Sequence, residues 1–203
     1  MKFALFVEGY TEQALPAFLK RWLDPRLSRR VGIVPVNFQG VGGFLSGFAQ
    51  RATRDLASGQ LIAVIGLIDL YGAGLPFPAN LTIDAKYTWA KTELERQVRN
   101  ERFSQHFAVH ETETWLLSDP SIFPARVRGG LQAFEDRPDE VNFREPPSKL
   151  LRGVYRANGW KYKKDANGSA LFQKLDPERV RERCPHFRAL LDDILALAKA
   201  AGL

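Results

Sequence analysis

Three apolar runs in this chain end on carboxylates. Phe3 to Val7 leads into Glu8, and Glu12 follows four residues later, beyond Gly9. Leu61 to Ile68 ends on Asp69, and Gln105 to Val109 ends on His110-Glu111-Thr112-Glu113. A single acid at a strand end is ordinarily a turn residue or a helix cap. Acids at three ends of one small parallel sheet would converge, because the crevice of such a sheet lies outside the carboxyl ends of its strands. Gathered carboxylates repel and raise one another's pKa unless a cation neutralises them. An all-oxygen donor set suits Mg²⁺ or Mn²⁺. Glu8 would then point from the strand end into a metal site, Gly9 would permit the tight turn, and Glu12 would sit on the first turn of the next helix, where the helix dipole favours an acid.

The elements that must position these acids alternate. A strand over 2–7 is followed by Thr11 as an N-cap and a helix from Gln13 to Trp22, with Leu15, Phe18, Leu19 and Trp22 on one face. Asp24-Pro25 ends it. A strand over Val31–Phe38 leads through Gly40, Gly42 and Gly43 into a helix reaching about Ala57, with Phe44, Leu45, Phe48 and Ala52 facing in. The third strand, Leu61–Ile68, is apolar on both faces, as a central parallel strand is. A Gly- and Pro-rich loop, a charged amphipathic helix over Tyr87–Glu101 and a fourth strand over Gln105–Val109 follow, and the Glu111–Glu113 block opens a short helix. The expected fold is α/β: a Rossmann-like, four-stranded, mainly parallel sheet flanked by helices with right-handed crossovers. The strand order that lets Glu8 and Asp69 share a cation is 2-1-3-4. Residues 1–119 form this core. Residues 120–203 form a loop and a helical extension packed on it, with helices near 148–157, 168–175, 177–183 and 185–200.

The 203 residues are 45% hydrophobic and 26% charged, a globular mixture sufficient for one well-buried domain. No apolar stretch reaches the ~18 residues of a membrane span, and no membrane association is expected. The first residues lack the pattern of a secretory signal, and the one cysteine, Cys184, excludes an internal disulfide framework and a Cys-rich zinc site. A reducing cytoplasm is the expected compartment. Lys and Arg number 29 against 23 acids, a net charge of +6. That balance favours a polyanionic partner, DNA or RNA. The basic residues gather late, as Arg144, Lys149, Arg152, Arg156, Lys161, Lys163, Lys164 and Lys174.

Further residues carry chemistry of their own, each beside a plainer reading. Lys149 follows two prolines and Ser148 and could bind the scissile phosphate, or simply open a helix toward solvent. Tyr71 could hydrogen-bond a phosphate or pack in its turn. His110 could be a ligand or proton shuttle, or a satisfied neighbour of the acids. The glycines at 40, 42 and 43 fit a tight turn better than a phosphate loop, since their spacing matches neither common fingerprint. Cys184-Pro185-His186 reads as a helix break with a buried thiol. The stretch Tyr155–Lys164 interleaves aromatic rings with basic residues, a composition that suits backbone contacts and base stacking. Arg152, Lys161, Lys163 and Lys164, with Tyr71, are the candidate nucleic-acid contacts.

Taken together these blocks resemble the TOPRIM fold shared by topoisomerases, primases and the OLD-family nucleases. The likeness lies in the residues around Glu8, in Leu67–Gly72 and in His110–Leu117. More narrowly, the whole chain looks like a TOPRIM-like bacterial family of uncharacterised function, with His110-Glu111-Thr112-Glu113, Pro147-Ser148-Lys149 and Cys184-Pro185-His186-Phe187 as its blocks. The resemblance implies that Glu8 acts in proton transfer or metal binding and that Asp69 holds Mg²⁺. Position 71 is Tyr where the second aspartate of the TOPRIM D-x-D pair would stand. Glu12, Glu111 and Glu113 resemble the further acids of the OLD-type nucleases and would replace it. The expected activity is metal-dependent hydrolysis of phosphodiester bonds, with Glu8 and Lys149 catalytic and Glu8, Glu12, Asp69, Glu111 and Glu113 on the metal. The alternative is a non-catalytic TOPRIM relic that binds nucleic acid or a partner; a phosphatase on the same sheet comes third. The resemblance also implies an ATPase partner and a role in bacterial antiviral defence, and it leaves a homodimer open.

Overall fold

The alternating signals resolve into a four-stranded, all-parallel sheet in the order β2-β1-β3-β4. The computed structural model describes residues 1–9, 14–70, 72–140 and 145–203. The expected cap Thr11, the candidate ligand Glu12, Tyr71 and Arg144 lie outside the described residues. The strands are β1 (Lys2–Val7), β2 (Gly32–Asn37), β3 (Val64–Asp69) and β4 (Phe103–Ala108). The helices are α1 (Leu15–Leu23), α2 (Val41–Ala57), α3 (Ile83–Val98), α4 (Glu113–Leu117), α5 (Ala125–Arg128), α6 (Pro147–Ala157), α7 (Lys164–Lys174), α8 (Pro177–Arg183) and α9 (Pro185–Ala200).

Period-2 alternation divides the strand side chains between two apolar layers. Phe3, Leu5, Val7, Ile65 and Leu67 face a layer built with α1, α4, α8 and α9. Ala4, Phe6, Val64, Ile68, Phe103 and Phe107 face α2 and α3, where Phe44 and Phe48 stack 5.1 Å apart. The residues beyond 119 therefore share a core with β1 and β3. The edge strand β4 differs on its inner face. Ser104 and His106 are buried there, and His106 Nε2 lies 2.9 Å from Asp193 Oδ2 of α9 while its Nδ1 meets the Tyr87 hydroxyl at 3.0 Å. A buried polar pair at this place is satisfied from both α3 and α9, as burial demands.

Three element starts differ by three residues or more from those read in the sequence, and smaller shifts include β4, which runs Phe103–Ala108 against the expected Gln105–Val109. β3 begins at Val64, not Leu61: Gly59 turns the chain with φ +70°, and the Ile62 N–H bonds Lys2 outside the regular ladder. α3 begins at Ile83, before Tyr87, because the Thr82 hydroxyl accepts from the Ala85 N–H at 3.2 Å. α7 begins at Lys164, before 168, because the Asn167 side chain reaches back to the Lys163 N–H at 2.6 Å.

The glycines after β2 serve the turn. Gly40 has φ +113° and its N–H bonds the Glu8 carbonyl at 2.5 Å. A Cβ on Gly43 would lie 2.1 Å from the Phe38 carbonyl oxygen. The close approach packs the first turn of α2 on the residue after β2, and the Gly40 bond ties it to the end of β1.

Candidate active site

Register brings the first two acids together. Val7 pairs with Leu67 and Asp69 pairs with Ala108, so Glu8, Asp69 and the residues after Ala108 leave the sheet at one level. The Asp69 N–H donates to Glu8 Oε1 at 3.0 Å, and Asp69 Oδ1 accepts from the Thr112 N–H at 3.1 Å. The ends of β1, β3 and β4 are thus tied through two carboxylates.

His110 makes the turn out of β4. It is fully buried with φ +67°, a left-handed conformation uncommon outside glycine. Burial pushes its imidazole down to about 4, against the Asp139 backbone and Glu111. It is neutral at pH 7. The turn delivers Glu111 to the N-terminus of α6, where Oε2 accepts from the Ser148 N–H at 2.8 Å and Oε1 from the Ser148 hydroxyl at 3.1 Å. The positive end of the helix dipole adds to this grip.

Glu113 opens α4 and its side chain is only 2% exposed. Its Oε2 lies 3.1 Å from Lys164 Nζ, and its Oε1 is buried with no hydrogen-bond partner among the described residues. Burial pushes this carboxyl up, Lys164 pulls it back, and Glu111 pushes it up again. Burial also works against the Lys164 charge, but Glu113, Asp69 and Glu111 together outweigh it and hold the ammonium above its ordinary range. Lys164 thus sits within the field of three acids, where a cation is required. Tyr162, two residues earlier, is 7% exposed; burial first, then Glu113 and Glu111, hold its phenol protonated.

Of the residues singled out in the sequence, Glu8 accepts from the Asp69 N–H and Asp69 from the Thr112 N–H, while Asp69, Glu111 and Glu113 share the field of Lys164. Glu12 and Tyr71 are outside the described residues. Lys149 lies exposed on the first turn of α6 and has no ion pair among the described residues. The lysine that reaches the acids is Lys164, which composition alone grouped with the nucleic-acid contacts. Arg152, Lys161 and Lys163 do group together: with Arg156, Gly159, Trp160 and Tyr162 they line a cavity of about 490 Å³. The anchor Ser148 and the wall Tyr162 went unread as site residues. The Pro-Pro-Ser sequence signalled a helix start at Ser148, not the acid it would hold. Among the described residues no three His, Cys, Asp or Glu side chains form a ready-made metal cage. The donor chemistry nevertheless fits a hard divalent ion, since every acid is a carboxylate and Glu113 Oε1 has no hydrogen-bond partner among the described residues.

A Rossmann-like parallel sheet, with carboxylates linked at its strand ends and a basic helical region packed beside them, defines the class of this chain. It belongs to the family described as a domain of unknown function (DUF4276), whose model matches residues 7–195. No curated protein and no solved structure matches it. No helix among the described residues is long and apolar enough to cross a membrane.

Proposed function

We propose that this chain is a divalent-metal-dependent nuclease that hydrolyses phosphodiester bonds. The observation that carries the reading is that Glu8, Asp69, Glu111 and Glu113 come from the ends of three strands, with Glu8 bonded to the Asp69 N–H, Asp69 to the Thr112 N–H, and the half-buried Lys164 in the field of Asp69, Glu111 and Glu113. Mg²⁺ or Mn²⁺ would be held by Glu8, Asp69, Glu111 and Glu113, joined by Glu12, and would supply a Lewis acid and an activated water. Glu8, half-buried at its strand end and oriented by the Asp69 N–H, is the group to take a proton from the attacking water. Lys164 balances the charge of the acids and steadies Glu113. Lys149 is the solvent-facing base nearest Ser148 and meets the phosphate chain. The likeness to TOPRIM nucleases supports work alongside an ATPase, in bacterial antiviral defence.

The test is degradation of DNA and RNA by the purified chain, alone and with an ATPase encoded beside it, with Mg²⁺ or Mn²⁺ and with a chelator. Metal-dependent cleavage lost in Glu8→Gln supports the reading. Cleavage that survives that change assigns the activity elsewhere.

Two observations favour a second reading, a non-catalytic binding module: Lys164 already pairs with Glu113, and no ready-made metal cage stands among the described residues. Calorimetric titration with Mn²⁺ separates the two, because the relic has no stoichiometric site.

A further inference from the structure

The cavity beside α6 shares a wall with the acid network, and its chemistry is of a particular kind. Arg152 and Arg156 stand one turn apart on the exposed face of α6, and Lys161 and Lys163 come from the segment that follows it. All four are exposed, and none is paired with an acid among the described residues. Many other arginines are committed, among them Arg21, Arg26, Arg51, Arg102, Arg181 and Arg183, which bond carbonyls or carboxylates. Between the four cations lies Trp160, 40% exposed, the one aromatic ring among the described residues left this open. The backbone N–H of Trp160 donates to the Tyr155 carbonyl at 2.9 Å, and its ring meets the Tyr155 ring at 6.4 Å between centroids. Tyr155 in turn packs edge-on against Tyr162, 5.3 Å between centroids.

Tyr162 joins the cavity to the acids. It lines the cavity with Arg152, its buried hydroxyl has no hydrogen-bond partner among the described residues, and it feels the charges of Glu113, Glu111 and Arg152. Lys163 in the lining is followed at once by Lys164 on Glu113. The volume, about 490 Å³, is that of a small-molecule pocket.

We propose that this cavity holds an unpaired nucleotide of single-stranded nucleic acid, its base on the Trp160 ring and its flanking phosphates on Arg152, Arg156, Lys161 and Lys163. The inference rests on the nuclease reading for the role of the neighbouring acids, and it adds the strandedness of the substrate. A base inside a duplex is stacked on both faces and cannot lie on a tryptophan without being flipped out. A single strand offers a free face at every base, and aromatic platforms among cations are how such strands are gripped without sequence preference. The next phosphodiester along the strand would then meet the Glu111–Glu113 side of Tyr162.

The test is fluorescence anisotropy of the full chain with labelled oligomers of about 12 nucleotides, in chelator so that no cleavage intervenes. DNA and RNA are each used as single strands and as duplexes of one sequence. Trp160→Ala should weaken single-strand binding about tenfold or more and duplex binding less than twofold. Trp160→Phe should restore single-strand binding to within about threefold, since any aromatic face serves. A loss confined to DNA or to RNA supports the cavity and identifies the substrate. Unchanged single-strand affinity in Trp160→Ala, an equal loss on duplex, or no binding by the wild-type chain overturns it. The two readings fail separately: Trp160-dependent binding without metal-dependent cleavage ends the nuclease and keeps the cavity, and cleavage with Trp160-independent binding does the reverse.

Discussion

The backbone N–H of Asp69 donates to the carboxylate of Glu8 at 3.0 Å, so the last residue of β3 orients the first acid after β1. The two strands are neighbours because β1 lies between β2 and β3. One oxygen of Glu8 is thereby aimed by the sheet itself.

That relationship makes Glu8→Gln a clean probe. Glutamine keeps an oxygen to accept from Asp69 but loses charge and basicity. Metal-dependent cleavage should fall by about 100-fold or more, the usual worth of a positioned proton acceptor. Thermal unfolding should move little. A melting temperature lowered together with activity would make Glu8 a structural residue.

Lys164→Met should strand Glu113. Removing the half-buried partner of a buried acid costs about 2–4 kcal/mol at neutral pH. The carboxyl, already pushed up by burial, would then take a proton in the folded state at higher pH than in the unfolded chain. A raised folded pKa means stability is lost as pH rises through it. The deficit of the variant against wild type, from urea unfolding, should therefore shrink from pH 8 to pH 5. A deficit constant over that range would show that Glu113 does not take up the proton.

His110→Asn retains a residue that tolerates positive φ and removes a buried titrating ring. The imidazole is held at about 4, below its ordinary 6.5, so the folded state binds fewer protons than the unfolded one as pH falls. Wild-type stability from this group is full above 6.5 and drains as pH drops toward 4. Asp139, pushed up to about 7 by burial, works in the opposite direction, so the variant must be compared with wild type at each pH. Relative to wild type the asparagine should gain ~2–3 kcal/mol between pH 7 and pH 4. A flat difference would mean that the ring is charged in the fold.

Gly66→Ala tests the sheet beneath the site. The added Cβ would lie 2.1 Å from Gln105 Oε1, on a side chain that is buried and whose Nε2 donates to the His106 carbonyl at 2.8 Å. The single change should cost about 1–3 kcal/mol by overpacking. Gly66→Ala with Gln105→Ala should be more stable than the two separate losses predict, by about 0.5 kcal/mol or more in a double-mutant cycle. Strict additivity would place the strain elsewhere.

The strand alternation and the strand order were legible because each rests on local patterning and a single shared requirement, that Glu8 and Asp69 be adjacent. The starts of β3 and α3 were not. Leu61–Ala63 is as apolar as the strand that follows, so hydrophobicity could not mark where the ladder becomes regular. The Thr82 cap stands five residues ahead of Tyr87, beyond the reach of the periodic signal used. Within the site, the acids announced themselves by position. Their partners did not: Ser148 holds Glu111 across 37 residues of sequence, and which lysine of 161, 163 and 164 turns inward depends on where α7 starts. Alternation through Tyr162 puts 161 and 163 outside, and only the fold shows Lys164 beside Glu113.

The helix α6 has two ends with two tasks. Its first turn holds Glu111 through Ser148, and its exposed face carries Arg152 and Arg156. Eleven residues make a rod roughly 16 Å long. A rod transmits displacement without absorbing it, so a load taken up at the arginines is felt as torque at the serine. Any tilt of α6 lengthens or shortens two hydrogen bonds to one carboxylate and moves that carboxylate relative to Glu8 and Asp69, which hang from the sheet instead. The alignment of the acids is therefore referenced to two different bodies. A load on the arginine face and the geometry at the acids are mechanically one variable.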